Sequence, residues 1–252
     1  MTTSPSVTFY VFGAGCYGRL HIRHLLTARK KGRLQFDRLV VIDRNPRAPA
    51  VREWSDHPRV TFRFMDWVTF LVEAFADGRI HPMDELVLPC IGPHLMFHWL
   101  QRTIARLTGQ EPRHIPWNGR VGIPFETTLD TGMHAVSYAL WRCPPTCIEP
   151  AMCPGNGQKR NWEMFRFISA HARFWNVRGR SIDHVEIFTS THRAWGVATL
   201  PVKRLLDARR RVITAVQHKR IRTLLVATVS SCHGLMGLMA IPSAGVNPDR
   251  SN

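Results

Sequence analysis

Apolar runs and amphipathic stretches alternate through the first half of this 252-residue chain. Residues 7–12, 39–42, 60–64 and 85–90 are short, nearly continuous apolar runs rich in β-branched and aromatic side chains, and they predict strands. Between them, residues 17–30 carry Leu20, Leu25 and Leu26 at helical spacing, and Trp67–Ala76 carries Trp67, Phe70, Leu71 and Phe75. Residues 94–106 predict a further helix. Strands without polar alternation are buried on both faces, so the pattern predicts a parallel sheet covered by helices, with right-handed crossovers. From about Thr108 the pattern breaks. Residues 109–160 are rich in Gly and Pro, and a single strand, 135–141, stands out there. Regular structure resumes with a helix over 161–175 that places Trp162, Phe165, Ile168, Ala172 and Trp175 on one side. A strand over His184–Thr189, a helix over 201–217 and a strand over Thr223–Val229 then form a second, smaller β-α-β unit. The expected organisation is a first domain over 1–110, a Pro/Gly/Cys-rich connection over 111–160, a small α/β domain over 161–245, and a frayed tail from 241.

The first strand runs directly into Gly13-Ala14-Gly15-Cys16-Tyr17-Gly18, a G-x-G-x-x-G, and the second strand ends on Asp43-Arg44. Gly13 permits a tight strand-to-helix turn, Gly15 lets backbone approach a diphosphate, and Gly18 lets the helix lie close to the strand. The helix N-terminus offers unpaired N–H groups and a partial positive charge to phosphates. Asp43 stands where a carboxylate can accept ribose hydroxyls, and Gly92, in the turn Ile91-Gly92-Pro93, closes a later strand at the same edge. This order of strand, glycines, helix, strand and acid resembles the NAD(P)-binding Rossmann-fold family. The likeness runs in particular to the small dehydrogenases of tetrapyrrole synthesis and, through Val40-Val41-Ile42-Asp43-Arg44-Asn45-Pro46, to the nucleotide-sensing domains that regulate potassium transport. It covers about the first 105 residues. It implies an N-terminal Rossmann-like parallel sheet; with the second β-α-β unit read from the pattern above, the expected fold is an α/β chain with a second, smaller Cys-containing α/β domain. It also implies NAD or NADP as cofactor, held by Gly13, Ala14, Gly15, Cys16, Tyr17, Gly18, Asp43, Arg44 and Gly92. Asp43 favours NAD, because a carboxylate repels a 2′-phosphate, and Arg44 beside it weakens that preference.

The formal net charge is +16, from 34 Lys and Arg against 18 Asp and Glu. A basic balance of this size suits nucleic acid or an anionic surface. Here the arginines are spread along the chain, no nucleic-acid-binding module is recognisable, and the few clusters, such as Arg209-Arg210-Arg211, read as solvated faces. No run of 18 apolar residues predicts a membrane span. The first apolar stretch is the first strand rather than a signal segment, which makes a cytoplasmic protein the expectation.

Three of the six cysteines fall in Arg142-Cys143-Pro144-Pro145-Thr146-Cys147-Ile148-Glu149-Pro150-Ala151-Met152-Cys153, and a fourth, Cys232, follows the last expected strand in Ser231-Cys232-His233. Thiolates bind soft metals and iron–sulfur clusters. Cys143, Cys147, Cys153 and Cys232 are therefore candidate ligands of an iron–sulfur cluster or zinc, although C-x3-C-x5-C matches neither a zinc ribbon nor a ferredoxin spacing. Reduced structural cysteines and a redox dithiol are the alternatives; disulfides are not expected in a reducing compartment. Cys16 and Cys90 sit at strand ends and read as packing residues. Of the histidines, the pairs His21/His24 and His94/His98 read as surface or packing groups, whereas His233 beside Cys232 can act as ligand or proton carrier. Glu126, Asp130 and Glu149 are candidate acids without an evident partner.

Two classes of function follow. One is an NAD(P)-dependent oxidoreductase in which the second half supplies a small-molecule substrate site and a Cys-held metal. The other is a nucleotide-sensing regulatory module, or a metal protein on a nucleotide-binding scaffold. Homo-oligomerisation is compatible with both.

Overall fold

The computed structural model describes residues 7–89 and 93–242; Gly92, Cys90 and residues 243–252 lie outside the described residues. The chain runs β1 (Thr8–Phe12), α1 (Cys16–Lys30), β2 (Arg38–Ile42), α2 (Pro49–Trp54), β3 (Val60–Arg63), α3 (Trp67–Ala76), β4 (Glu85–Val87) and α4 (Leu95–Thr108). It continues through β5 (Arg113–Ile115), β6 (Phe125–Thr128), β7 (His134–Ser137), α5 (Met164–His171), β8 (Asn176–Val177), β9 (Arg180–Ser181) and β10 (His184–Thr189). The last elements are β11 (Thr191–Ala194), β12 (Val197–Pro201), α6 (Val202–Gln217), β13 (Thr223–Val229) and β14 (His233–Ala240). Among the described residues no helix is long and apolar enough to cross a membrane.

The chain is of mixed α/β class. One six-stranded sheet has the order β11-β12-β4-β1-β2-β3. Strands β4, β1, β2 and β3 run parallel. Every residue of β1 is buried, and its side chains alternate between two apolar layers. Phe9 and Val11 meet Ile22 and Leu25 of α1 on one face, while Tyr10 and Phe12 join Phe70 of α3 and Leu100 of α4 on the other. Helix α3 starts where Asp66 caps it, its carboxylate accepting the Thr69 N–H at 2.9 Å. Helix α4 ends at Gly109 in the left-handed conformation, φ 71°.

The sheet is mixed, not wholly parallel as the sequence pattern suggests, because β12 pairs antiparallel to β4 and β11 to β12. The physical reason is Glu85, a buried carboxylate at the start of β4. It accepts Arg193 Nη2 from β11 and Thr199 Oγ1 from β12, both at 2.7 Å. A buried charge needs such partners, and the two strands supply them from 108 and 114 residues away.

The second sheet has the order β10-β13-β14-β7-β6, with β5 also on β14. Its parallel pair, β10 and β13, is joined through α6, as the β-α-β reading requires. The other pairs are antiparallel. Three of these strands, β5, β6 and β14, lie where the sequence showed no strand, and β7 stops at Ser137 instead of 141. On its outer face α5 packs Met164 and Ile168 on Leu225 and Ala227. Phe165, expected inward, is exposed, since Met164 and Ile168, one helical turn apart, take the inner positions. Helices α4 and α6 share one apolar layer with both sheets, in which Trp99 and Leu205 meet Leu86 of β4 and Leu224 of β13.

Candidate functional site

The glycine turn joins β1 to α1 at the carboxyl edge of the parallel strands. Gly13 adopts φ +105°, a conformation closed to most side chains, and its N–H donates to Ile42 O at 2.9 Å. A Cβ on Gly18 would lie 1.9 Å from Gly13 O, so the helix is packed directly on the turn. The N-cap, Gly15, has no side chain to cap α1, and the first helical turn carries no acidic residue. Gly15, Cys16 and Tyr17 are exposed, and nothing stands within 4 Å of a Cβ built on Gly15. Trp67 covers the opposite side of the turn, donating its indole N–H to Ile42 O at 2.9 Å. Asp43 braces the loop: one carboxylate oxygen accepts the buried Ala14's N–H at 2.6 Å and the other accepts Asn45 N–H at 2.8 Å. Arg44, on the exposed side, pairs with Asp66.

Next to this edge a cavity of about 450 Å³ opens between the two sheets. His21 of α1, Leu88 after β4 and His94 before α4 form one wall; Thr228, Ser230 and His233 from β13 and β14 form another. His94 is fully enclosed. Burial, assisted by His98 and His114, brings its pKa down to about 3. Its Nε2 lies 2.9 Å from Thr228 Oγ1, while its Nδ1 has no hydrogen-bond partner. Burial, with His24, brings His21 down to about 4. Both imidazoles are neutral at physiological pH, so this wall is uncharged. The histidine pairs are thus packing groups, with His24 held by Trp195 O at 2.6 Å and His98 beside Gln101 at 3.3 Å.

A second cavity, of about 340 Å³, shares Ser230 and His233 with the first. Cys143, Cys147, Cys153 and Cys232 all line it. The cysteine loop is fastened at two points. A Cβ on Gly196, in the β11–β12 turn, would lie 1.8 Å from Pro145 O, so only glycine lets the loop approach. The second fastening is Glu149, which sits in the left-handed region at φ 54°. Its carboxylate accepts Ser230 Oγ–H at 2.5 Å, Ser231 N–H at 3.0 Å and Cys232 N–H at 3.2 Å. Arg160 stands 3.9 Å and His192 3.7 Å away. Desolvation pushes the Glu149 carboxyl up, and these donors and cations outweigh it and hold the group below its ordinary range.

The sulfurs are solvated by protein. Cys232 Sγ accepts the Trp162 indole N–H at 3.2 Å, Cys147 Sγ accepts Glu149 N–H at 3.3 Å, and Cys143 Sγ lies 3.4 Å from His233 Nε2. Burial pushes the Cys232 thiol up to about 11 and raises Cys143 as well. The donor types suit a soft metal, but their spacing does not: among the described residues no group of three or more His, Cys, Asp or Glu could hold a metal ion. As placed, the four sulfurs share a wall without forming a ligating group, so no chemistry is routed here through zinc or an iron–sulfur cluster. Glu126 is also structural. It pins the 120–122 turn through Val121 and Gly122 N–H and contacts His134 at 3.0 Å.

Residues 96–242 match the model of a family described as "Uncharacterized protein, C-terminal domain", AF_1314_C, over more than half of the chain. The chain belongs to this family. The match covers α4 to β14 and therefore all four cavity-lining cysteines, and it begins after the glycine turn. Comparison with curated proteins and with solved structures gives no match. Three residues at the site escaped the sequence reading: Arg160 and His192, which line the second cavity, and Ser137, which meets His233 behind it. None lies in a motif, and each reaches the site only through long-range pairing of β7, β11 and the loop before α5.

Proposed function

We propose that this protein is an NAD(P)-linked oxidoreductase that binds the dinucleotide across the carboxyl ends of β1 and β4 and its substrate in the adjoining cavities. The supporting observation is the strand order β4-β1-β2-β3, all parallel, which is the order of a dinucleotide-binding half-sheet. In that arrangement ligands settle where the chain reverses direction across the sheet, between β1 and β4, and the Gly13–Gly18 turn stands at that edge. The open N–H groups of the first turn of α1 would hold the diphosphate, and Asp43, kept in place by two backbone N–H groups, would face the ribose. A bound nicotinamide supplies or accepts a hydride. The protein's own contribution is positioning, together with the uncharged wall of His21 and His94, which keeps competing protons away.

Calorimetry with NAD⁺ and NADP⁺ tests this reading. Gly15→Val is the informative variant, because a side chain at Gly15 meets nothing within 4 Å and its φ of −71° is open to any residue. The variant should fold and lose at least tenfold in affinity. Absence of binding to the unaltered protein, or full binding by the variant, would overturn the assignment.

A further inference from the structure

Cys143 and His233 meet from positions 90 residues apart. His233 Nε2 faces Cys143 Sγ at 3.4 Å, and its Nδ1 faces Ser137 Oγ at 2.9 Å. Ser137 donates its own proton to Ala139 O at 3.2 Å and accepts Ala139 N–H at 2.9 Å. A hydroxyl whose proton is committed can only accept from Nδ1–H. The imidazole then carries its proton on Nδ1 and turns the Nε2 lone pair to the thiol. A nucleophile, a base at its proton and a third group that orients the base form the arrangement of covalent catalysis. We propose that Cys143 is a catalytic nucleophile that adds to the carbonyl carbon of an aldehyde, with His233 as its base and Ser137 as the residue that positions His233.

Geometry separates Cys143 from its neighbours. Cys232 and Cys147 accept N–H groups at sulfur and Cys153 is buried. Cys143, half-exposed on the cavity wall, is the one with an imidazole at its sulfur among the described residues. In the addition the Sγ–C bond forms as the carbonyl π pair moves to oxygen. The thiol proton passes to Nε2 and from there to that oxygen, giving a neutral hemithioacetal. No oxidant or co-reactant enters. Ser137 is uncharged and fixes the ring without stabilising a lasting imidazolium, as a carboxylate would. That suits a reaction in which the proton is handed on at once, and an aldehyde has no leaving group to expel. Arg160 lines the same cavity, its Nη1 ion-paired with Glu149 at 3.9 Å.

The charged surroundings set the resting state of the pair. Desolvation lowers the His233 pKa against the pull of Glu149, with His192 nearby and itself lowered by burial. Burial, with Cys147, Cys153 and Glu149, raises that of Cys143. Thiol and imidazole therefore rest uncharged at neutral pH; a raised thiol disfavours a standing thiolate, so the reactivity assigned to Cys143 rests on the contact of its sulfur with His233 Nε2. This site goes beyond nucleotide binding and does not depend on it.

The test is alkylation of the nucleotide-free protein by iodoacetamide between pH 5 and 9, read at each cysteine by peptide mass spectrometry. Propanal serves as competing aldehyde. Cys143 should label about tenfold faster than Cys147 or Cys232 at neutral pH, and propanal should protect it saturably. His233→Asn should remove about tenfold of that rate together with the protection. Ser137→Ala should move the pH midpoint of labelling at Cys143 alone, a change that loosened packing would not produce. Equal labelling of the cysteines, unchanged rates in His233→Asn, or copurified zinc or iron whose removal by chelator is required before Cys143 labels, would each overturn the proposal.

Discussion

Glu149→Ala should cost the fold about 3 kcal/mol, although the residue lies in an irregular loop. Among the described residues the side chain is the charged group that ties the cysteine loop to the β13–β14 turn, and it accepts three hydrogen bonds there. Removing it strands the Ser231 N–H and leaves the Cys232 N–H only the longer contact to Ser230 Oγ at 3.3 Å, and a group left unsatisfied in protein costs roughly 1–3 kcal/mol. Ser230 can turn its hydroxyl elsewhere, and water can enter the 340 Å³ cavity, so the lower half of the summed range applies. The backbone supplies a control. At φ 54° alanine retains the strain of the left-handed region, whereas glycine does not. Glu149→Gly should therefore be about 1 kcal/mol more stable than Glu149→Ala while lacking the same carboxylate. Urea unfolding followed by tryptophan fluorescence measures both, and the alanine variant should melt roughly 6–12 °C lower. An alanine variant within 0.5 kcal/mol of the unaltered protein, by the order-of-magnitude reasoning above, would show that the loop is held elsewhere. A glycine variant less stable than alanine would refute the strain argument.

Gly18→Ala should destabilise by about 3 kcal/mol, since its Cβ would press on backbone at Gly13 O, whereas Gly15→Val should leave the melting temperature nearly unchanged. Equal melting temperatures for the two variants would contradict the turn geometry. Acid should also destabilise through Glu186. Desolvation raises this buried carboxyl, but His184 and Arg211, the latter at 2.5 Å, outweigh it and hold it below the ordinary glutamate range. A carboxylate depressed in the folded state contributes stability above the unfolded-chain value and loses it as pH falls through the folded one. Urea midpoints should thus fall below about pH 4.5, and Glu186→Gln should flatten that acid limb; an unchanged limb would remove Glu186 from the account.

The first half of the fold is legible because its code is local. Residues of β1 bury both faces and read as an apolar run, and α1 and α3 keep their apolar stripes, so for these three elements the expected and observed bounds differ by at most a residue; β4 ends at Val87, three short of the expected 90, and the pattern does not predict α2. The second sheet is less legible because its strands are held by neighbours. Strand β14 reads His-Gly-Leu-Met-Gly-Leu-Met-Ala, with two glycines and no β-branched residue. It stands because β13, β7 and β5 pair with it, and because Gly237 leaves room for Phe97 and Met133. Strands β11 and β12 carry His, Arg and Thr among small residues, a pattern without period. Their place beside β4 is set by Glu85, a contact that no window of sequence contains. The cysteines, Glu149 and His233 could be picked out by type and clustering. Their partners Ser137, Arg160 and His192 could not, because each is an ordinary polar residue until the sheets are assembled.

The excursion of β11 and β12 also explains why the candidate site lies where it does. Strands β10 and β13 pair in the second sheet, yet the chain between them leaves to extend the first sheet and returns through α6. That detour lays the β11–β12 turn, with Gly196, under the cysteine loop and sets His192 beside Glu149. The loop consequently spans two sheets, fastened to one by glycine contact and to the other by a charge. Ser230 and His233, at the tip of β13 and the start of β14, form with Gly196 and Ala198 the wall common to both cavities. Among the described residues, His233 is the imidazole that lines both cavities.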